Sequence, residues 1–140
     1  GAALAYHQGI PFIAALPFKD QDLKWTPQIR QKYQWLLSKA AKIVLVDRQV
    51  GYISSLVPPD VYNSQKMGER NRWIVDQLGP GDKLLAIRNR NARGRTHNCI
   101  MHAHSKLSSV RPTVVEINPD KFSEYKPKIV NAIMDDDVPF

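Results

Sequence analysis

The stretch KLLAIRNRNARGRTHNCIMHAHSKL, Lys83–Leu107, decides the fold. It opens on Lys83–Ile87, a short apolar run without period-two alternation, as strands buried on both faces read. It closes on a segment that places Ile100, Ala103 and Leu107 at i, i+3 and i+7, the spacing of an amphipathic helix. The nine residues between, Arg88–Thr96, carry four arginines and one glycine. A buried strand that hands over to a helix through a polar turn is half of a βαβ unit.

The same pattern recurs along the chain. Ile10–Leu16 (IPFIAAL), Lys42–Val46 (KIVLV) and Thr113–Ile117 (TVVEI) are further apolar runs of strand length. Between them, Pro27–Ala41 sets Ile29, Tyr33, Leu36, Leu37 and Ala40 on one helical stripe, with Thr26 as N-cap and Pro27 at the first helical position. Residues 64–78 set Met67, Ile74, Val75 and Leu78 on another, with Ser64 as cap and Gly79-Pro80-Gly81 as the stop. Asn71 falls on that stripe and turns an amide inward, where it needs partners. A last helix is predicted from about Tyr125 to Met134, before the acidic Asp135–Asp137. Strands alternating with helices predict an α/β domain with a parallel, three-layer, Rossmann-like sheet. The 140 residues are enough for one such domain. Asp47–Asn63 is a long irregular connection of the kind that often carries function.

Charge narrows the partner. Net charge is +7, and no Asp or Glu occurs between Lys83 and Val115. That window holds Lys83, Arg88, Arg90, Arg93, Arg95, Lys106 and Arg111, which accounts for the whole excess. In open parallel sheets ligands bind beyond the carboxyl ends of the strands. A helix N-terminus there offers unpaired N–H groups and about half a positive charge. The junction at residues 88–98 therefore reads as an anion site, with phosphate the expected anion. Gly94 lets backbone approach it, Thr96 caps the helix and bonds an oxygen, and Arg95 neutralises charge. No apolar run reaches the ~18 residues a membrane span requires, so no membrane partner is expected. Cys99 is the only cysteine, which excludes an internal disulfide and fits a reducing, cytoplasmic setting. It has no neighbouring base and reads as a packing residue. His97, His102 and His104 lack the spacing and companions of a metal site, so neither metal nor cofactor is expected. Among the aromatic residues, Tyr62 is the candidate for stacking on a base.

The order of segments resembles a known family. IPFIAALPF (Ile10–Phe18), Trp25, KIVLVD (Lys42–Asp47), Tyr62, Arg70-Asn71-Arg72-Trp73-Ile74-Val75-Asp76, Lys83–Ile87, Gly94-Arg95-Thr96-His97-Asn98 and PTVVEINP (Pro112–Pro119) follow one another as in the YpsA/YoqJ-like branch of the SLOG superfamily. This is a Rossmann-like group that includes the LONELY GUY and DprA/Smf proteins. The resemblance covers most of the chain and implies a single domain, residues 1–140, corresponding to the C-terminal two-thirds of the family domain. It implies a nucleotide or nucleotide-derived phosphate ligand held by Arg70, Asn71, Gly94, Arg95, Thr96 and Asn98, with Tyr62 beside them.

Two departures bear on activity. Arg95 stands where the branch has a second glycine, and Cys99 where catalytic LONELY GUY proteins have a glutamate, although Arg70 matches their paired arginine in type. A nucleoside-monophosphate N-glycosidase is therefore an alternative that lacks its carboxylate. Single-stranded nucleic-acid binding through Arg88, Arg90, Arg93 and Arg95, as in DprA-like proteins, is a second alternative. A non-catalytic place in a larger assembly is a third. Gly1–Gly9 reads as the end of a helix that runs straight into a strand. The expectation is that the family's first β-α-β unit is missing, cleaved or supplied by another chain, with a homo-oligomer or partner chain completing the sheet.

Overall fold

A computed structural model of the chain describes residues 1–52, 57–89 and 93–121. The predicted helix near Tyr125–Met134, the acidic Asp135–Asp137 and Arg90 lie outside the described residues. The elements in order are α1 (Ala2–His7), β1 (Ile13–Leu16), α2 (Pro27–Lys39), β2 (Lys42–Leu45), α3 (Ser64–Asp76), β3 (Lys83–Ile87), α4 (Arg95–Ser105) and β4 (Thr113–Ile117). This is the expected alternation of strand and helix. β3 and β4 have the bounds that their apolar runs predict, and β1 is shorter than its run because Ile10–Phe12 lead into the strand without joining the ladder.

The strands pair in parallel, β1 with β2 and β3 with β4, as two separate two-stranded sheets. The expected parallel, Rossmann-like sheet is present in incomplete form, and among the described residues the two inner edges stay unpaired. Peptide groups along a parallel strand point alternately to either side. The Phe12 carbonyl accepts the Ala41 N–H at 2.9 Å, so the peptide groups of Ile13 and Ala15 face away from β2. The Asp82 carbonyl accepts the Thr113 N–H at 2.9 Å, and the Arg88 N–H donates to Ile117 at 3.0 Å. The peptide groups of Lys83, Leu85 and Ile87 accordingly face away from β4. This arrangement is what an incomplete Rossmann-like sheet looks like. Ile13, Leu85 and Ile87 remain more than half exposed.

Helices tie the two ladders together. α3 packs on β1 and along α4, and α4 packs on β3. Two-stranded sheets are marginal alone, so this helical layer supplies the burial: Val75 of α3 and Ala103 of α4 are fully inaccessible, and Ile100 and Ala86 nearly so. The second cluster is Leu16, Phe18, Val44 and Val46, at the carboxyl ends of β1 and β2. Several stripe residues stay out of the core: α2 buries none of its stripe, and Ile74 of α3 is exposed. Ile29 is exposed at the start of α2, and Leu107 is exposed because α4 stops at Ser105. No helix among the described residues is long and apolar enough to cross a membrane.

A buried ion pair fixes α3. The Lys66 ammonium lies 3.0 Å from the Asp47 carboxylate, and both side chains are wholly inaccessible. Lys66 also donates to the Pro58 carbonyl at 2.8 Å, and Asp47 accepts the Asp60 N–H at 2.8 Å. Asn63, rather than the expected Ser64, caps the helix by accepting the Gln65 N–H at 2.8 Å. Breaking such a pair strands an uncompensated charge and costs about 3–5 kcal/mol. Lys66→Met should lower unfolding free energy by that amount, read as a lower urea midpoint with an unchanged slope.

Candidate functional site

The facing sides of α3 and α4 enclose an open cavity of about 360 Å³. Helical periodicity explains which side chains reach it. On α3, Ser64, Gly68, Asn71 and Arg72 lie at i, i+4, i+7 and i+8 and share one face. On α4, Arg95, Asn98, Cys99 and His102 lie at i, i+3, i+4 and i+7 and do the same. Gly94 and Gln65 close the rim.

The start of α4 is one wall. Gly94 is its N-cap, and among the described residues no side chain caps the first turn. The N–H groups there are thus available to a ligand, in the half-positive field of the helix end. The expected cap, Thr96, is already inside the helix and exposed, and does not line the cavity. A Cβ added at Gly94 would meet nothing within 4 Å, and its φ of 164° is extended backbone. The protein itself does not require glycine there; the open space in front of it belongs to the cavity.

Positive charge converges on the cavity, with no carboxylate among its lining residues. Arg72 and Arg95 line the cavity. Arg70 lies behind it, with its guanidinium donating to the Asn71 side-chain oxygen at 2.8 Å and reaching the Ala15 carbonyl on the open edge of β1 at 3.5 Å. Among the described residues none of the three arginines is in an ion pair. Burial pushes the Arg70 guanidinium below its ordinary range, and neighbouring Arg95 pushes the same way. A cluster of cations costs repulsion and desolvation unless an anion neutralises it. Asn71, predicted to turn inward, lines the cavity and holds Arg70 in place.

The remaining predicted residues sit elsewhere. Tyr62 lies in a second cleft of about 580 Å³, edge-on to Phe18 and near Trp25 and Met67. Arg88 is committed to the Glu116 carboxylate at 3.3 Å and to His97 Nδ1 at 2.7 Å, so it adds little to a free basic surface. Arg93 is exposed. Cys99 is half-buried, and burial pushes its thiol up, which keeps it protonated at neutral pH and unable to serve as a base.

Arg72, Cys99 and His102 were not assigned to a site by the sequence. The signal was present as two polar stripes at helical spacing, but nothing in the sequence says that α3 and α4 face each other. At the far end of the cavity His102 makes an equally hidden contact. His102 Nε2 lies 2.6 Å from one oxygen of Asp76, whose other oxygen accepts the Tyr52 hydroxyl proton. Burial alone raises the Asp76 carboxyl, but these bonds and Arg72 outweigh it and hold it below the usual carboxylate range. Burial and the Asp76 charge push the Tyr52 hydroxyl up to about 12.

Fold and site together define an α/β protein with a cation-lined cavity between two of its helices. Over 97 residues, 69% of its length, the chain is 30% identical to the uncharacterized SPbeta prophage-derived protein YoqJ of Bacillus subtilis (strain 168). The match takes in 54% of that relative, so the chain spans about half the length of the curated protein it matches. No protein-family model and no solved structure matches the chain.

A carboxyl held low in the fold contributes stability above its unfolded pKa, near 3.9, and loses it as pH falls through the folded value. Asp76→Asn should therefore be less stable than wild type at neutral pH, with the gap closing below about pH 4. Urea unfolding of both proteins across that range checks the sign.

Proposed function

We propose that the chain binds a nucleotide or nucleotide-derived phosphate in the cavity between α3 and α4. The observation that carries this reading is the uncapped N-terminus of α4 facing Arg72 and Arg95, with no carboxylate paired to either among the described residues. The first-turn N–H groups and Arg95 hold the phosphate, Arg72 neutralises it from the opposite helix, and Asn71 and Asn98 orient the sugar or base. Arg70 raises the local potential from behind. A charge-assisted hydrogen bond contributes about 1.5–3 kcal/mol, so two or three suffice to retain a nucleotide. A cavity of about 360 Å³ suits a small ligand and is too confined for a duplex.

The order of motifs that resembles the SLOG superfamily supports the same ligand class, and a lone unpaired cysteine fits a cytoplasmic protein. The chemistry supported is binding. The position of the LONELY GUY glutamate is occupied by a protonated thiol, which supplies no general base for N-glycosidic cleavage. The unpaired inner edges of β1 and β3 support completion of the sheet by a further strand, from the same polypeptide or a partner.

AMP should raise the melting temperature of the wild-type protein, and Arg95→Glu should abolish the shift. Losing that contact and adding a like charge weakens affinity by at least about 10-fold. Absence of any shift with mono- or dinucleotides would end this reading.

A further inference from the structure

We infer that the second cleft, outside the carboxyl ends of β1 and β2, is a binding site for a flat heteroaromatic ring of the purine class, neutral or anionic. It stands apart from the phosphate reading and shares only α3 with that cavity. β1 and β2 are paired in parallel, so the connections that leave them emerge on one side. The connection from β1 to α2 supplies Phe18, Asp20, Leu23 and Trp25, and Phe18 lies two residues past the strand. The connection from β2 to α3 supplies Asp60 and Tyr62. The Asp60 N–H donates at 2.8 Å to the carboxylate of Asp47, which lies two residues past β2. In open parallel sheets ligands bind beyond these strand ends. The volume of about 580 Å³ falls within the range of about 300–1,000 Å³ usual for small-molecule sites.

The walls are anchored, yet their apolar faces are unused. Buried Asp22 accepts from Arg30 at 3.2 Å and from Gln34 at 2.8 Å, which ties the first connection to α2. Trp25 stands edge-on to Tyr33 with ring centroids 5.0 Å apart, and buried Phe18 holds Tyr62 edge-on at 5.8 Å. Asp20 and Asp60, with φ of 58° and 69°, are the two non-glycine residues in the left-handed region among the described residues, and both line the cleft. Such strain persists where packing over-determines it, and it clusters at ligand sites. Tyr62 is nonetheless 69% exposed, Leu23 64% and Trp25 40%. A ligand that covers this apolar surface removes it from water without reshaping the walls.

Charge selects the ligand. Lys19 and Lys24 line the cleft and are in no ion pair among the described residues, whereas Asp60 is neutralised by Arg48. The positive balance opposes a quaternary ammonium, the cation that aromatic walls otherwise recognise. A sugar needs partners for many hydroxyls, but the Gln21 amide is committed to the Tyr33 hydroxyl at 2.9 Å and Asp60 to Arg48. A purine asks for less. Trp25 and Tyr62 supply stacking faces, the two ammonium groups donate to ring nitrogens or a carbonyl, and Asp20 accepts from an amine.

Calorimetric titration of the full chain with adenosine and guanosine, which carry no phosphate, tests this. At least one should bind, and Tyr62→Ala and Trp25→Ala should each weaken it by about 10-fold. Tyr62→Trp, which keeps a stacking face, should restore the affinity. Should Trp25→Ala fail to fold, the Trp25 indole N–H resonance of the wild type carries the test: it should shift with bound nucleoside, and an unmoved signal overturns the inference. Nucleoside binding that is indifferent to Tyr62→Ala and Trp25→Ala overturns it as well. Displacement of the nucleoside by an equal concentration of methyl glucoside makes the cleft a sugar site and also overturns it. Failure of both nucleosides to bind ends this inference alone, because the phosphate reading stands on stabilisation by AMP and its loss in Arg95→Glu.

Discussion

The Lys66–Asp47 pair is the constraint on which the site depends. It joins the first turn of α3 to the segment that leaves β2, with both charges out of water. Buried pairs of this kind contribute little net stability, because desolvation offsets most of the attraction. What the pair supplies is a unique rotation of α3. A helix turned by one residue rotates by about 100°, which would carry Gly68, Asn71 and Arg72 off the cavity and strand the Lys66 charge in an apolar core. The cap by Asn63 and the Pro58 carbonyl on Lys66 reinforce the same rotation.

With α3 so oriented, the electrostatics follow. The basic window of the sequence faces α3 through one side of α4, and the two helices juxtapose arginines that are in no ion pair among the described residues, although Arg72 feels the Asp76 and Glu69 charges. The acid available nearby, Asp76, is engaged at the far end by His102 and Tyr52. The cavity is thereby divided along its length, with fixed positive charge and free N–H groups at the α4 start and the hydrogen-bonded His102–Asp76 contact at the other end. An anion at the first end lowers the repulsion that otherwise accumulates there.

The sheet imposes a different tension. Two parallel ladders with unpaired inner edges leave Ile13, Leu85 and Ile87 largely exposed, and exposed strand edges are templates for further pairing. Arg70 bonds the Ala15 carbonyl on one of these edges, so the open side of β1 and the back of the cavity share a residue. Whatever occupies that edge will alter the surroundings of Arg70 and, through Asn71, the cavity wall.

Much of the local structure was determined by the sequence. Near-continuous apolar runs of four to seven residues fit strands of a parallel sheet, and 3.6-residue periodicity with Pro27 and Gly79-Pro80-Gly81 as punctuation placed the helices. The acid-free window marked α4 as the positive element, because charge composition is a local property, and Asn71 betrayed itself as a polar residue on an apolar stripe. Tertiary structure alone decided which helix faces which. That pairing brought Arg72, Cys99 and His102 to the cavity, sent Tyr62 to another cleft, tied Arg88 to Glu116, and joined Asp76 to His102 across 26 residues. It also left the sheet as two ladders. These outcomes rest on contacts between residues far apart in the chain, and periodicity reports which face of an element is polar without reporting what lies opposite it.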